Sequence, residues 1–211
     1  MPLGGRPLIA YSIDAGRASR ALTRLVVSTD DEEIATIARS MGADVPFLRP
    51  AALAADDTPM VPVLADLLRT LSAREQYEAD VLVLLQPTSP FRRGDHIDAA
   101  VDLLIRSGAD SVVSVVPVPH QFTPSSLMQR EGDTLVPWID GPAPQRRQDK
   151  PALFARNGPA IVAVRPRVVL DDGRLYGART VGLVMSREDS LDIDDALDLK
   201  VAELLLSSRV S

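Results

Sequence analysis

The stretch "DVLVLLQPTSP" (residues 80–90) decides how the rest of the chain is read. Val81 to Leu85 is an unbroken apolar run that Pro87 stops, the pattern of a short strand buried on both faces. Upstream, "RLVVSTD" (24–30) repeats the pattern. There Asp30 and Glu33 resemble a capping pair ahead of a helix whose apolar face is Ile34, Ile37, Ala38 and Met41 and whose stop is Gly42. "ADVPFL" (43–48) reads as the next strand, and "RPAALAADDTP" (49–59) as a loop feeding a helix through Leu64, Leu67, Leu68 and Leu71. Downstream, Asp95 to Ser107 has helical spacing and "DSVVSVVPV" (110–118) is another buried strand. A first helix is expected from Pro7 to about Ala18. This alternation predicts an α/β fold, a Rossmann-like doubly wound sheet, mostly parallel, with helices on both faces. Ligands of such sheets sit at the C-terminal ends of the strands, where "STD", "RPAALAADD" and "QPTSP" all fall.

The rhythm breaks over residues 119–150, which are Pro-rich and hold the single Trp, Trp138. A loop of that length in a compact domain is expected to form short strands or to contact another subunit. "PALFARN" (151–157), "PAIVAVRP" (159–166) and "TVGLVMS" (180–186) restore the strands, and "LDIDDALDL" (191–199) leads into a closing helix. The expectation is a single domain over 1–211 with an inserted arm at 119–150.

Composition narrows the chemistry. Lys and Arg total 23 against 29 Asp and Glu, a net charge of −6, which argues against general binding of nucleic acid or anionic membranes. With no Cys and two His, thiolate and histidine-cluster metal sites give way to oxygen ligands and hard cations. The start has no signal-peptide pattern and no apolar run is long enough for a membrane span, so a cytoplasmic protein is expected. GxSxG, GxxxxGK[ST] and GxGxxG are all missing, which removes the common hydrolase, P-loop and dinucleotide readings.

Asp192 and Asp194 lie two apart, so on an extended chain both carboxylates face one hard cation while Ile193 turns inward. The competing reading is that one of them, or Asp195, caps the helix starting near Ala196. Gln86 to Pro90 offers an amide and two hydroxyls to a polyhydroxylated ligand, or is simply a Pro-rich turn. Arg146 and Arg147 carry guanidinium forks suited to carboxylate or phosphate, though paired surface Arg are commonly just solvated. Arg49 stands past a strand end within reach of a triphosphate, Asn157-Gly158 reads as a turn, and His120 as a loop histidine.

In order, "RPLIAYSI", "VVSTDDEEIA", "VPFLRPAALAADDTP", "LLQPTSPFR", "ADSVVSV", "RRQDKP", "NG" and "LDIDDALDL" resemble the acylneuraminate cytidylyltransferases over nearly the whole chain. The resemblance implies a nucleotide-diphospho-sugar transferase type of fold and a homodimer built through the 119–150 arm. It also implies Mg²⁺-dependent (or Mn²⁺-dependent) transfer of CMP from CTP to the anomeric hydroxyl of a nonulosonic acid. By the same resemblance Asp192 and Asp194 hold the metal, Gln86, Arg147 and Asn157 meet the sugar, and Arg49 with the backbone around Asp57 and Thr58 lies on the nucleotide side. Two departures stand out. Ile161 takes a place where family members set a Tyr against the sugar. The family's first strand and Gly- and basic-rich loop have no counterpart ahead of "PLGGRPLIAY", so these residues alone are expected to be poorly stable or self-associating, and active only with that segment restored. The alternatives are CTP transfer to another keto sugar, of the 2-keto-3-deoxyoctonate kind, and an inactive remnant that only dimerises.

Overall fold

The computed structural model describes residues 2–139, 146, 150–156, 158 and 160–210. A two-residue antiparallel turn, β1 (Pro2–Leu3) and β2 (Arg6–Pro7), leads into α1 (Leu8–Ala18). Pro7 stands at its N-cap, so the fixed φ of proline starts the helix where the sequence places it. α2 (Glu32–Ser40) follows, capped by Asp31 rather than Asp30: the Asp31 carboxylate accepts from the Glu33 and Ile34 amides at 2.7 and 3.0 Å. Next come α3 (Met60–Glu75), β3 (Leu82–Leu84), α4 (Gly94–Ser107) and β4 (Ser111–Pro117). The arm forms a hairpin, β5 (Met128–Glu131) and β6 (Thr134–Pro137), with exposed Leu135 and Trp138. β7 (Phe154–Arg156), β8 (Val162–Val164), α5 (Pro166–Leu170), β9 (Thr180–Val184) and α6 (Ala196–Val210) complete the chain.

The main sheet is mixed where a mostly parallel one was expected. β8 runs antiparallel to both β3 and β4, β7 runs antiparallel to β4, and β9 runs parallel to β4 on its other side. A strand buried on both faces is wholly apolar in either direction, so the sequence pattern carries no sign of the reversal. Helices cover both faces as expected. Ile97, Ala100 and Leu104 of α4 pack with Ala15 of α1 on one side, and Leu64 and Leu68 of α3 pack with Val168 and Val169 of α5 on the other.

β7 and β8 lie end to end along β4, but not in one register. Val115 faces Arg156 whereas Val113 faces Val162, where an unbroken strand would have placed residue 158. The chain therefore has four residues more here than an unbroken ladder would hold, a bulge that leaves Gly158 out of the pairing with β4.

The second difference lies at "RLVVSTD" and "ADVPFL". Instead of two strands they make a single parallel bridge, Val26 to Asp44, closed by Val27 N–H to Asp44 C=O and Asp44 N–H to Leu25 C=O, both 2.8 Å. Pairing uses one edge only, so the Val26 amide and carbonyl point the other way. They point into a cavity of about 570 Å³ between this segment and β3, lined by Ile13, Val26, Leu64, Leu68 and Val83 among others. β3 shows its own free edge there. Ala163 is paired to β4, so Val162 and Val164 bond to β3, and the backbone of Val83 faces the cavity. Arg24, Ser28, Asp80 and Gln86 also line this cavity.

Candidate active site

Three pieces of chain meet past the C-terminal end of β3. The 86–90 loop is a turn closed by Ser89 N–H to Gln86 C=O at 3.3 Å. The segment before α6 is fastened to it by Ile193 N–H to Thr88 C=O at 2.9 Å. Ile193 is 4% exposed and packs with Leu3, Leu8 and Phe91, the inward turn that the two-residue spacing predicts. Asp192 is thereby aimed back at the loop, where buried Ser89 donates its hydroxyl to Oδ1 at 3.3 Å. On its other side stands Gly158, the bulge residue. A Cβ built there would lie 1.6 Å from Asp192 Oδ2 and 2.0 Å from Cγ. Gly158 also has φ +56°, a conformation that favours glycine. Glycine is therefore required twice: to form the bulge, and to let the backbone approach the carboxylate.

Asp194 stands exposed beside this pair. The Asp192 charge pushes its carboxyl above the ordinary carboxylate range, with burial and then Asp198 and Asp195 adding to the shift. Helix capping falls to Asp195, whose Oδ1 accepts from the Leu197 and Asp198 amides at 2.7 and 3.0 Å. The capping role weighed for this cluster therefore goes to Asp195, and Asp192 and Asp194 are left without an ion pair among the described residues. Among the described residues no three His, Cys, Asp or Glu side chains converge into a metal cage. Two mutually repelling carboxylates fit a hard cation that takes its remaining ligands from water and phosphate, as Mg²⁺ does.

Arg92 lies beneath the site and is 3% exposed. Nε donates to the Ala160 carbonyl at 2.9 Å, Nη1 and Nη2 to Ser12 Oγ at 3.3 and 2.9 Å, and Nη2 also to the Gln86 carbonyl. Burial lowers its pKa to about 9, opposed by the field of Asp192, so it stays charged at neutral pH. Sequence reasoning missed Arg92, and offered the Ser89 hydroxyl to a ligand where the structure gives it to Asp192. "SPFRR" offers no local sign separating buried Arg92 from half-exposed Arg93, which pairs with Asp95 and Asp189.

Of the other expected site residues, Arg49 lies by the end of the Val26 segment, its Nε donating to Ser28 Oγ at 3.2 Å and Nη2 to the Ser28 carbonyl. It lines the cavity, as Gln86 does. Asp57 and Thr58 stand in the turn before α3, where the Thr58 amide bonds the Ala55 carbonyl at 3.0 Å. Their side chains make no hydrogen bond among the described residues. Arg147 and Asn157 lie outside the described residues. Ile161 is corrected: it is 1% exposed and packs among Ile97, Leu104 and Val112, so it belongs to the core and not to a ligand surface.

Residues 1–138 match the family described as Cytidylyltransferase. The chain belongs to the cytidylyltransferase family. It is thus an enzyme, a nucleotidyltransferase. It is 32% identical to the CMP-N,N'-diacetyllegionaminic acid synthase of Legionella pneumophila over 97% of this chain and 87% of that protein. Identity to the N-acylneuraminate cytidylyltransferase of Escherichia coli is also 32%, over 93% of this chain but 45% of that one, so the chain spans about half of the longer relatives' length. Among solved structures, CMP:2-keto-3-deoxy-manno-octonic acid synthetase complexed with CTP aligns with a TM-score of 0.70 at 14% identity, covering 99% of this chain and 91% of that one. The 4-diphosphocytidyl-2C-methyl-D-erythritol synthase of Anaerococcus prevotii aligns at 0.65 and 12% identity, covering 98% and 92%. These two likenesses show the fold, an open α/β nucleotidyltransferase sheet. No helix among the described residues is long and apolar enough to cross a membrane.

Proposed function

We propose that this cytidylyltransferase transfers CMP from CTP to the anomeric hydroxyl of a nonulosonic acid, of the N-acylneuraminic or diacetyllegionaminic kind, and releases pyrophosphate. The anomeric oxygen forms the new bond to the α-phosphorus as the bond to pyrophosphate breaks, and the hydroxyl proton passes to water. No nucleophile on the enzyme is required, so the protein's work is positioning and charge control.

The observation that carries this reading is the joining of Gln86, Ser89, Gly158 and Asp192 at the end of β3. Ser89 and the 86–90 loop stand against the Asp192 carboxylate there, which supports a polyol site beside a hard cation. The near full-length likeness to the Legionella synthase supports the sugar class. Asp192 and Asp194 would hold Mg²⁺ or Mn²⁺, which when bound neutralises phosphate charge. Gln86 would orient the sugar, with Arg147 and Asn157 beside it, and Arg49 with the turn at Asp57 and Thr58 would serve the nucleotide. A cytoplasmic homodimer joined through the 119–150 arm completes the proposal.

The test is pyrophosphate release from CTP with Mg²⁺ and a panel of N-acetylneuraminic, legionaminic, pseudaminic and 2-keto-3-deoxyoctonic acids. It is run on residues 1–211 and on a chain carrying a strand and Gly-rich loop ahead of Pro2. Turnover with a nine-carbon acid supports the proposal. Turnover only with the eight-carbon acid moves it to another keto sugar, and turnover with none by either chain refutes it.

A further inference from the structure

Arg92 is the only Lys or Arg that is buried among the described residues, and no carboxylate lies within ion-pair distance of it. All its hydrogen bonds go to neutral oxygens instead. Holding a cation in this way is a poor means of gaining stability, because apolar packing of the same volume commonly does as well or better. A guanidinium does offer a rigid planar fork that spans several acceptors at fixed separations.

The acceptors belong to three separate elements. Gln86 ends the run after β3, Ala160 lies two residues beyond the glycine that touches Asp192, and Ser12 is on α1 behind both. The loop carrying Gln86 and the bulge carrying Gly158 are opposite walls of the site. Ser89 bonds Asp192 from one wall and Gly158 abuts it from the other. No direct hydrogen bond between Gln86 and Ala160 occurs, so among the described residues the fork is the hydrogen-bonded tie between those two carbonyls.

We propose that Arg92 is a positioning residue that sets the spacing between the Gln86 wall and the Gly158–Ala160 wall, and with it the fit of the acceptor sugar. The proposal rests on the reading that Gln86 faces that sugar. A lysine keeps the charge but cannot reach both carbonyls with a planar fork, and a methionine keeps most of the volume but loses the charge as well. If spacing is the function, both substitutions act on the sugar and leave CTP alone.

The experiment measures KM for each substrate and kcat for R92K, R92M and S12A, in whichever form of the enzyme turns over. Losing hydrogen bonds to a charged group is expected to raise the sugar KM about tenfold or more in R92K and R92M, and about threefold in S12A. KM for CTP should stay within about twofold in all three. S12A removes one neutral acceptor from a helix and keeps the test open if R92M fails to fold. Sugar and CTP KM values rising together, or neither moving while the melting temperature falls, would show a merely structural role and overturn the proposal.

A second readout needs no substrate. R92K should speed amide exchange at Ser89, on one wall, and at Ile161, the residue next to Ala160 of the other, and leave Ala163 in the sheet unchanged. Exchange equal to wild type at Ser89 and Ile161 overturns the positioning role even if no nonulosonic acid is turned over. Faster exchange there, in an enzyme active on none of these acids, upholds it while the functional reading fails.

Discussion

Substituting Gly158 by alanine tests the contact on which the site is built. The new Cβ would stand 1.6 Å from Asp192 Oδ2 and 2.0 Å from Cγ, against an ordinary contact of roughly 3.5 Å, so the carboxylate must move by about 1.5–2 Å. The backbone adds its own cost, since φ is +56° and an L-residue there loses about 1–2 kcal/mol. For a chain of this size that alone lowers the melting temperature by about 2–8 °C. Displacement of a reacting-centre group by an ångström or more costs on the order of 100-fold, so kcat/KM should fall by at least that much. Gly132 provides the control. Its φ is +60° and nothing lies within 4 Å of its would-be Cβ, so Gly132→Ala carries the backbone cost without the collision. Pyrophosphate release and thermal melts on both variants separate the two terms. G158A should melt no higher than G132A, and only G158A should lose activity. A kcat/KM for G158A within threefold of wild type would refute the reasoning.

Asp192→Asn keeps the shape facing Ser89 and removes the charge, so kcat should fall about 100-fold or more with little change in the melt; titrating Mg²⁺ in the activity assay checks whether the metal requirement weakens with it. Burial, and then the Arg93 charge, lower the pKa of His96, so the folded state resists protonation. The unfolded chain then binds the proton first, and stability present above the unfolded value of about 6.5 is lost as pH falls through that value and levels off below the folded one; urea melts of His96→Gln should flatten over that window. The free edges at Val26 and Val83 should exchange their amides far faster than Val112 and Ala163, and residues 1–211 alone should melt early or self-associate in light scattering; equal protection and a cooperative melt of a non-aggregating species would count against this. Trp138 is 59% exposed on the arm and is the only Trp, so its emission should shift to the blue as a homodimer forms on concentration, and a spectrum independent of concentration would remove the arm from the interface.

The longer helices were legible from apolar positions at helical spacing, with Gly42 and Gly108, both at positive φ, closing α2 and α4, whereas the five-residue α5 was not foreseen. β3 and β4 were legible as apolar runs, but their neighbours' directions were not, since a doubly buried strand has no polar side to orient it. "RLVVSTD" has strand composition yet pairs through one bridge only, because one edge meets Asp44 and the other meets the cavity. Composition reports burial, whereas a ladder needs a partner.

At the site, the inward turn of Ile193 between Asp192 and Asp194 was legible because alternation along an extended chain is local geometry. The capping role, also foreseen, went to Asp195. Arg92 was hidden because its acceptors lie on Ser12 and Ala160, tens of residues away in sequence. Gly158 read as an ordinary turn, since nothing beside it in sequence announces that Asp192 will rest against it.

The most direct test is to incubate CTP, Mg²⁺ and N,N'-diacetyllegionaminic or N-acetylneuraminic acid with the active form of the enzyme and with its D192N variant, and to weigh the product by mass spectrometry. A CMP-sugar conjugate is expected from the first, formed in step with pyrophosphate, and almost none from the second. Conjugate formed equally by both would contradict the site assigned here, and no conjugate from either chain form with any keto acid would contradict the function.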